Sequence, residues 1–244
     1  MSDTVTMTRR VRRQNEKFHR FTQPAEMFLE SEPFAQGGMR RAYHMRLAGF
    51  VYPMVAKEFI SQHECIGEEE LDVVDAAQEM AALFNAQSPP RPVHFLSERW
   101  FACTVCNANH RFVFVIHRPN VVKRQPLFCE PYLDGLYQKH NCASGWLPQR
   151  ARHTPQAFSH FTFCATKGQM LIVDLQGVGD MYTDPVVLTR DGHGFGLGNI
   201  GQKGMDDFFA SHRCNHVCIQ LGLHPAFGPL DTDSSLTPTV SPSK

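Results

Sequence analysis

Three potential metal ligands fall close together in His212-Arg213-Cys214-Asn215-His216-Val217-Cys218. Cys214 and Cys218 are four apart, so on a helix they share one face and both sulfurs can grip one ion. His212 lies within reach one turn earlier. A closed structural zinc site takes four ligands, so these three form a fragment. His160, in Phe158-Ser159-His160-Phe161, is a candidate fourth. Two buried thiols beside surface imidazoles would show the same spacing, and spacing alone leaves both readings open. A rival set, Cys103-Thr104-Val105-Cys106 with His110, is half of a zinc knuckle without its partner Cys-x2-Cys. It lies between two apolar strand-like runs and reads as a hairpin with incidental thiols.

A second constellation runs from Val173 to Pro185: Val-Asp174-Leu-Gln176-Gly-Val-Gly-Asp180-Met-Tyr-Thr-Asp184-Pro. Asp174 ends an apolar run and Asp184 follows a glycine-rich turn. Carboxylates at strand ends, with an amide oxygen from Gln176, suit magnesium, which takes oxygen ligands in near-octahedral order. One of them could instead orient a hydroxyl nucleophile. Asp and Gly also simply make turns, which is the reading preferred for Asp180. Gly196-Leu197-Gly198-Asn199-Ile200-Gly201 matches G-x-G-x-x-G, but it comes late in the chain, where another loop is expected next. A dinucleotide site is rejected in favour of a flexible glycine loop near a substrate. Lys57 sits in a strand-like run downstream of Gly37-Gly38. A glycine turn followed by a strand lysine is a layout that covers and neutralises phosphates.

The elements that must position these groups are mixed. A strand-like run spans Tyr52 to Phe59. Helical spacing over 68–87 through Leu71, Val74, Ala77, Ala81 and Phe84 stops at Ser88-Pro89-Pro90. Trp100–Val105 and Arg111–His117 read as strands, followed by a short one into Glu130. Ala157–Phe163 reads as a helix or a corner, Met170–Leu175 as an apolar strand, and Met205–Leu221 as one helix. The pattern is α+β. Residues 1–29 contain Arg9, Arg10, Arg12, Arg13, Lys17 and Arg20 without clear period and read as a disordered basic arm. The Ser/Thr/Pro-rich segment 228–244 reads as a disordered tail.

Composition narrows the function classes. The 244 residues carry 24 Lys plus Arg against 24 Asp plus Glu, so bulk charge offers nothing to nucleic acid or an anionic membrane. No apolar leader and no run long enough to span a bilayer are visible, so a cytoplasmic location with reduced thiols is expected despite the even count of 8 Cys.

Taken in order, these segments resemble the α-kinase family of atypical protein serine/threonine kinases, nearest to its elongation factor 2 kinase members. The likeness covers roughly residues 33–225. It is dense in Pro33–Tyr43, Val55-Ala56-Lys57, Glu130–Gly135 and Thr154–Phe163, and densest over Val173–Pro185 and Gly194–Cys218. The resemblance implies a two-lobed kinase fold, a β-rich N-lobe of about 30–130 and a zinc-stapled C-lobe of about 131–227. It implies transfer of the γ-phosphoryl group of ATP to Ser or Thr of a protein substrate, with magnesium. It implies that Lys57 contacts the phosphates beneath the Gly38-Met39-Arg40 turn. Glu130 and Tyr132 would lie at the hinge beside adenine. Asp174 would be the catalytic aspartate, with Gln176 and Asp184 holding magnesium. His160, His212, Cys214 and Cys218 match the structural zinc ligands, and Gly196, Gly198 and Gly201 the peptide-side loop. Arg91, Arg152 and Thr154 match a phosphothreonine pocket, for which Thr237 and Thr239 of the tail are candidate occupants. No calmodulin-binding segment is evident before Phe34, so calmodulin control is not expected. A pseudokinase or phosphopeptide-binding module is the alternative, and a zinc hydrolase with an open metal position a third reading.

Overall fold

A computed structural model describes residues 3–11, 19–48, 51–60, 69–96, 100–103, 105–106, 112–113, 116–118, 121–123 and 127–223. The first part is strand-rich: β1 (Asp3–Val11), β2 (His19–Leu29), β3 (Ala35–Gln36), β4 (Arg40–Leu47) and β5 (Met54–Phe59) precede helix α1 (Glu69–Asn85). Then come β6 (His94–Phe95), β7 (Trp100–Cys103), β8 (Val105–Cys106), β9 (Phe112–Val113), β10 (Ile116–Arg118), β11 (Val121–Lys123), β12 (Leu127–Pro131) and β13 (Tyr137–Lys139). The remainder is α2 (His153–Ala165), β14 (Met170–Val173), β15 (Gln176–Val178), β16 (Met181–Thr183), β17 (Val186–Thr189), α3 (Gln202–Ser211) and α4 (His216–Gln220). The α+β class follows directly.

The main sheet runs β2-β1-β7-β12-β5-β4-β3, and β2 also pairs with β4. The six strands from β2 to β4 therefore close on themselves, with β2 and β3 sharing successive stretches of one β4 edge. Closure removes the unpaired edges that an open sheet would present. The basic arm is thus not disordered where described: Asp3–Val11 pairs antiparallel with residues 19–27. Alternation in Thr4-Val5-Thr6-Met7-Thr8 favours a strand, and the arginines nearby masked that signal. The tail 228–244, with Thr237 and Thr239, lies outside the described residues, as does the side-chain environment of Cys103, Cys106 and His110.

The lobe boundary also moves. Although α1 and β6 precede residue 130, both pack with the second half. Phe84 meets Phe158 and Phe161 of α2 edge-on at 5.4 Å, in a core shared with Ala77, Ile172, Tyr182 and Cys218. β6 extends the sheet β13-β15-β16-β6 through a parallel pairing with β16. The reason is that the apolar stripe of α1 at Val73, Ala77, Ala81 and Phe84 is completed by α2. Phe158→Ala should cost about 3–5 kcal/mol, measured by denaturant unfolding, because the ring is fully buried between Phe84 and Phe95.

Met205–Leu221 is two helices rather than one. His212 closes α3 in an extended conformation, and Asn215 starts α4 by accepting from the backbone N–H groups of Val217 (2.9 Å) and Cys218 (3.4 Å). Asn is a strong N-cap, and here it restarts the helix only after Cys214, so Cys214 lies in the break and Cys218 in α4 rather than both on one helix face.

Candidate active site and metal cluster

A cleft of about 480 Å³ opens between the closed sheet and the second half. Its floor is β5, buried at all six positions because β12 and β4 flank it on both sides. Lys57 lies opposite Phe128 of β12, so Glu130, two residues on, is its diagonal neighbour on the same face. The Lys57 Nζ donates to Glu130 Oε1 and to Asp184 Oδ2, and lies 3.3 Å from Thr183 Oγ1. Thr183 in turn donates to the Glu130 carboxylate at 2.7 Å. The other Asp184 oxygen accepts from Arg40 at 2.9 Å. Arg40 lies over the Phe59 ring at 4.7 Å and the Phe128 ring at 5.3 Å, which holds its planar head in place. Two cations and two carboxylates thus meet at one point of the cleft.

Asp174 leaves β14 toward the same cleft. Lys139 of β13 pairs with its Oδ1 at 2.5 Å, and Gln176 donates to its Oδ2 at 3.2 Å. Burial raises the Asp174 pKa above the usual carboxylate range, an effect Lys139 opposes and the Asp184 charge reinforces. Asp174 and Asp184 both adopt left-handed backbone, φ 62° and 49°. Such conformations are uncommon for non-glycine residues and cluster at functional sites.

Most of the expected residues converge here. Gly38, Met39, Arg40, Lys57, Glu130, Tyr132, Asp174, Gln176, Asp184 and Gly198 all line the cleft. Glu130 is next to last in β12, and its carboxylate is committed to Lys57 and Thr183. Tyr132 joins Phe34 and His44 in an aromatic group at the mouth, with the Phe34 and His44 rings stacked at 4.1 Å. Of the glycine loop, only Gly198 lines the cleft. Gly201 caps α3 and packs against Gly192, so the loop is followed by a helix rather than by the expected loop. Sequence reading missed Thr183 and Lys139. Adjacency to Asp184 was the available signal for the first; nothing local marks the second.

Arg91, Arg152 and Asp180 come together away from the cleft. Arg91 grips the Asp180 carboxylate with Nε and Nη2 at 2.8–3.1 Å, and Arg152 reaches Asp180 Oδ1 at 2.5 Å and the Gly179 carbonyl. Thr154 is buried in the adjoining first turn of α2. Asp180, read as a turn-former, is the carboxylate on which both guanidiniums converge. Burial alone would raise its pKa, but the Arg91 and Arg152 hydrogen bonds outweigh that and hold it low.

Under the second half, His160, His212, Cys214 and Cys218 are all buried, with ligand atoms within 4.8 Å of one another. Nδ1 of His160 lies 3.6 Å from Cys214 Sγ, and Nε2 of His212 lies 3.8 Å from Cys218 Sγ. Zinc–sulfur and zinc–nitrogen bonds at a tetrahedral angle put S and N about 3.5 Å apart, so the donors and spacing fit a closed four-ligand site. Burial pushes His212 down to about 3, leaving it neutral as a ligand must be, and pushes Cys218 up to about 12. Among the described residues no other group of three or more such side chains has metal-binding spacing.

The comparisons agree with this geometry. The Alpha-kinase family profile matches residues 35–218. The chain is 36% identical over 250 residues to Alpha-protein kinase 1 of Dictyostelium discoideum, covering 98% of this chain and 17% of that protein. It is 36% identical over 209 residues to eukaryotic elongation factor 2 kinase of Mus musculus, covering 81% of this chain and 27% of that one. It therefore spans little more than a quarter, at most, of these relatives. The solved α-kinase domain of myosin heavy chain kinase A in complex with AMP superposes with a TM-score of 0.77 at 28% identity, covering 92% of this chain and 100% of that one. The same domain with AMP-PNP gives 0.79 at 27% identity, with 94% and 98% covered. With its cleft lysine, paired aspartates and His/Cys cluster carried on a matching fold, the chain belongs to the alpha-kinase family.

Proposed function

We propose that this chain is a protein serine/threonine kinase domain that transfers the γ-phosphoryl group of ATP in a magnesium-dependent reaction. The observation that carries the reading is the meeting of Lys57, Arg40, Glu130, Thr183 and Asp184 beside Asp174 in one cleft. Phosphoryl transfer needs little covalent help from protein, and positioned charge supplies most of the catalysis. Lys57, fixed by Glu130, neutralises the phosphates beneath the Gly38-Met39-Arg40 turn. Tyr132 and Phe34 offer apolar faces for the base at the other end of the cleft. Asp174 orients the acceptor hydroxyl and takes its proton. Gln176 and Asp184, an amide and a carboxylate, are the hard oxygen donors that would hold magnesium, which supplies charge neutralisation. Two solved structures of the myosin heavy chain kinase A domain are inactive aspartate-to-alanine variants with ATP. The two replaced positions have the spacing of Asp174 and Asp184. The chain's protein substrate is read from the family alone.

The test is transfer of labelled phosphate from ATP with magnesium to Ser or Thr in a protein acceptor. Lys57→Ala should lower kcat/KM by at least about 10²-fold. ATP-independent phosphopeptide binding with no turnover would favour the regulatory-module reading.

His160, His212, Cys214 and Cys218 would hold a structural zinc, joining α2 to the α3–α4 segment. Four protein ligands leave no open position, which argues against a zinc hydrolase. A cytoplasmic location fits the free thiols of Cys129, Cys142, Cys164, Cys214 and Cys218. Arg91 and Arg152 would take a phosphothreonine by exchanging Asp180 for a phosphate, which offers more acceptor oxygens and more charge. Thr237→Ala with Thr239→Ala should then lower activity, and added phosphothreonine peptide should restore it. Unchanged activity in the double variant would refute docking by the tail.

A further inference from the structure

We propose that Asn141 is a positioning residue that holds Asp174 in its working conformation, an inference that rests on reading the cleft as a phosphotransfer site. Asp174 sits at φ 62°. A left-handed residue other than glycine costs roughly 1–2 kcal/mol, so its surroundings must impose it. The imposition falls on the next residue. The Leu175 backbone N–H donates to Asn141 Oδ1 at 2.9 Å, and the Leu175 carbonyl accepts from the His140 N–H at 2.7 Å. Both backbone groups of Leu175 are thereby clamped by one dipeptide, His140-Asn141.

That dipeptide is itself anchored. Asn141 Nδ2 donates to Ser159 Oγ at 3.0 Å and lies 3.5 Å from Gln156 Oε1. Gln156 Nε2 donates to the His140 carbonyl at 2.6 Å, and Ser159 donates back to the Pro155 carbonyl at 3.3 Å. Asn141, Gln156, Ser159 and Leu175 are all buried. A buried amide with both ends satisfied has one orientation, and a network of this kind is stiff because each broken bond leaves an unsatisfied group. The anchors lie on α2, where Ser159 immediately precedes His160 of the His/Cys cluster. The chain of contacts thus runs from the cluster through α2 and Asn141 to the residue beside Asp174. Neither Lys57 nor Arg40 takes part, so the clamp acts on Asp174 and not on the phosphate end of the cleft.

The test uses the full chain. In Asn141→Ala, kcat should fall about 10- to 100-fold, because a small misplacement of a reacting group is that costly, while KM for ATP stays within about twofold. Ser159→Ala should lower kcat less, and the double variant should be no worse than Asn141→Ala, since both act through one bond chain. A folded Asn141→Ala protein with unchanged kcat overturns the proposal. So does a parallel loss of kcat and ATP affinity, or simple additivity with Ser159→Ala. If Asn141→Ala does not fold, Ser159→Ala decides: unchanged kcat overturns the proposal, and a lowered kcat at constant KM supports it. If the wild-type chain transfers no phosphate, the functional reading has failed. The clamp is then judged by hydrogen exchange at the Leu175 amide, where protection must drop when Asn141 or Ser159 is replaced.

Discussion

Asp174→Asn is expected to remove nearly all phosphotransfer, about 10²- to 10⁴-fold in kcat, while leaving the melting temperature unchanged or raised. The two halves of this result have one cause. Burial raises the Asp174 pKa, so the folded state disfavours the ionised form. At neutral pH the charge is therefore a cost to stability, relieved as pH falls and the carboxylate takes up a proton. Asparagine removes that charge, keeps the shape and tolerates the left-handed backbone at φ 62°. Lys139 loses its partner, but its ammonium is exposed and remains solvated. Only the variant's chemistry should suffer, because an amide cannot accept the hydroxyl proton. The pH–rate profile offers a second check. In the wild type the acidic limb should lie above the range of an ordinary aspartate, with activity falling as pH drops through it. Asp174→Asn retaining kcat within a few-fold, or melting far below the parent, would contradict the assignment.

Metal removal should produce the other large effect, this time on stability. The four buried ligands gather α2, the end of α3 and the start of α4 around one point. Without a cation, the fold buries two thiols whose pKa values are both raised, Cys218 to about 12. A divalent ion inverts that balance by holding both as thiolates. A strong chelator should therefore extract one zinc per chain and lower the melting temperature by roughly 10–20 °C. That shift corresponds to a loss on the order of 5 kcal/mol in a chain of this size. Cys218→Ser and His160→Ala should purify with little zinc and melt near the chelated wild type. A metal-free chain with unchanged melting would show that the cluster packs without an ion. The contacts through α2 to Asn141 add a further expectation: chelation below the melting point should lower kcat before it lowers ATP binding.

The type of most functional residues was legible locally. Asp174 stood out because it ends an apolar run, Asp184 because it follows a glycine-rich turn, and Lys57 because it lies on a strand downstream of a glycine turn. The four members of the His/Cys cluster were recoverable from short spacings plus one distant histidine. Other parts were hidden for physical reasons. The pairing of β1 with β2 depends on a closed sheet that local composition cannot reveal, and a run of arginines looks solvated. The break between α3 and α4 follows from a single capping side chain, Asn215, inside otherwise helical spacing.

By itself, the sequence determined which chemistry was available: hard oxygens for magnesium, soft sulfurs and imidazoles for zinc, and cations for phosphates. Ligand preference is a property of the side chain and travels with the residue type. Tertiary structure alone decided which groups act together. Lys57 meets Asp184 across 127 positions, and Arg91 and Arg152 meet on Asp180 from different elements. Asp174 owes its conformation to an asparagine 34 positions away from Leu175. Such partnerships depend on closure of the sheet and on the packing of α1 and α2. The energy that enforces them is spread over a buried core and belongs to no short stretch of chain.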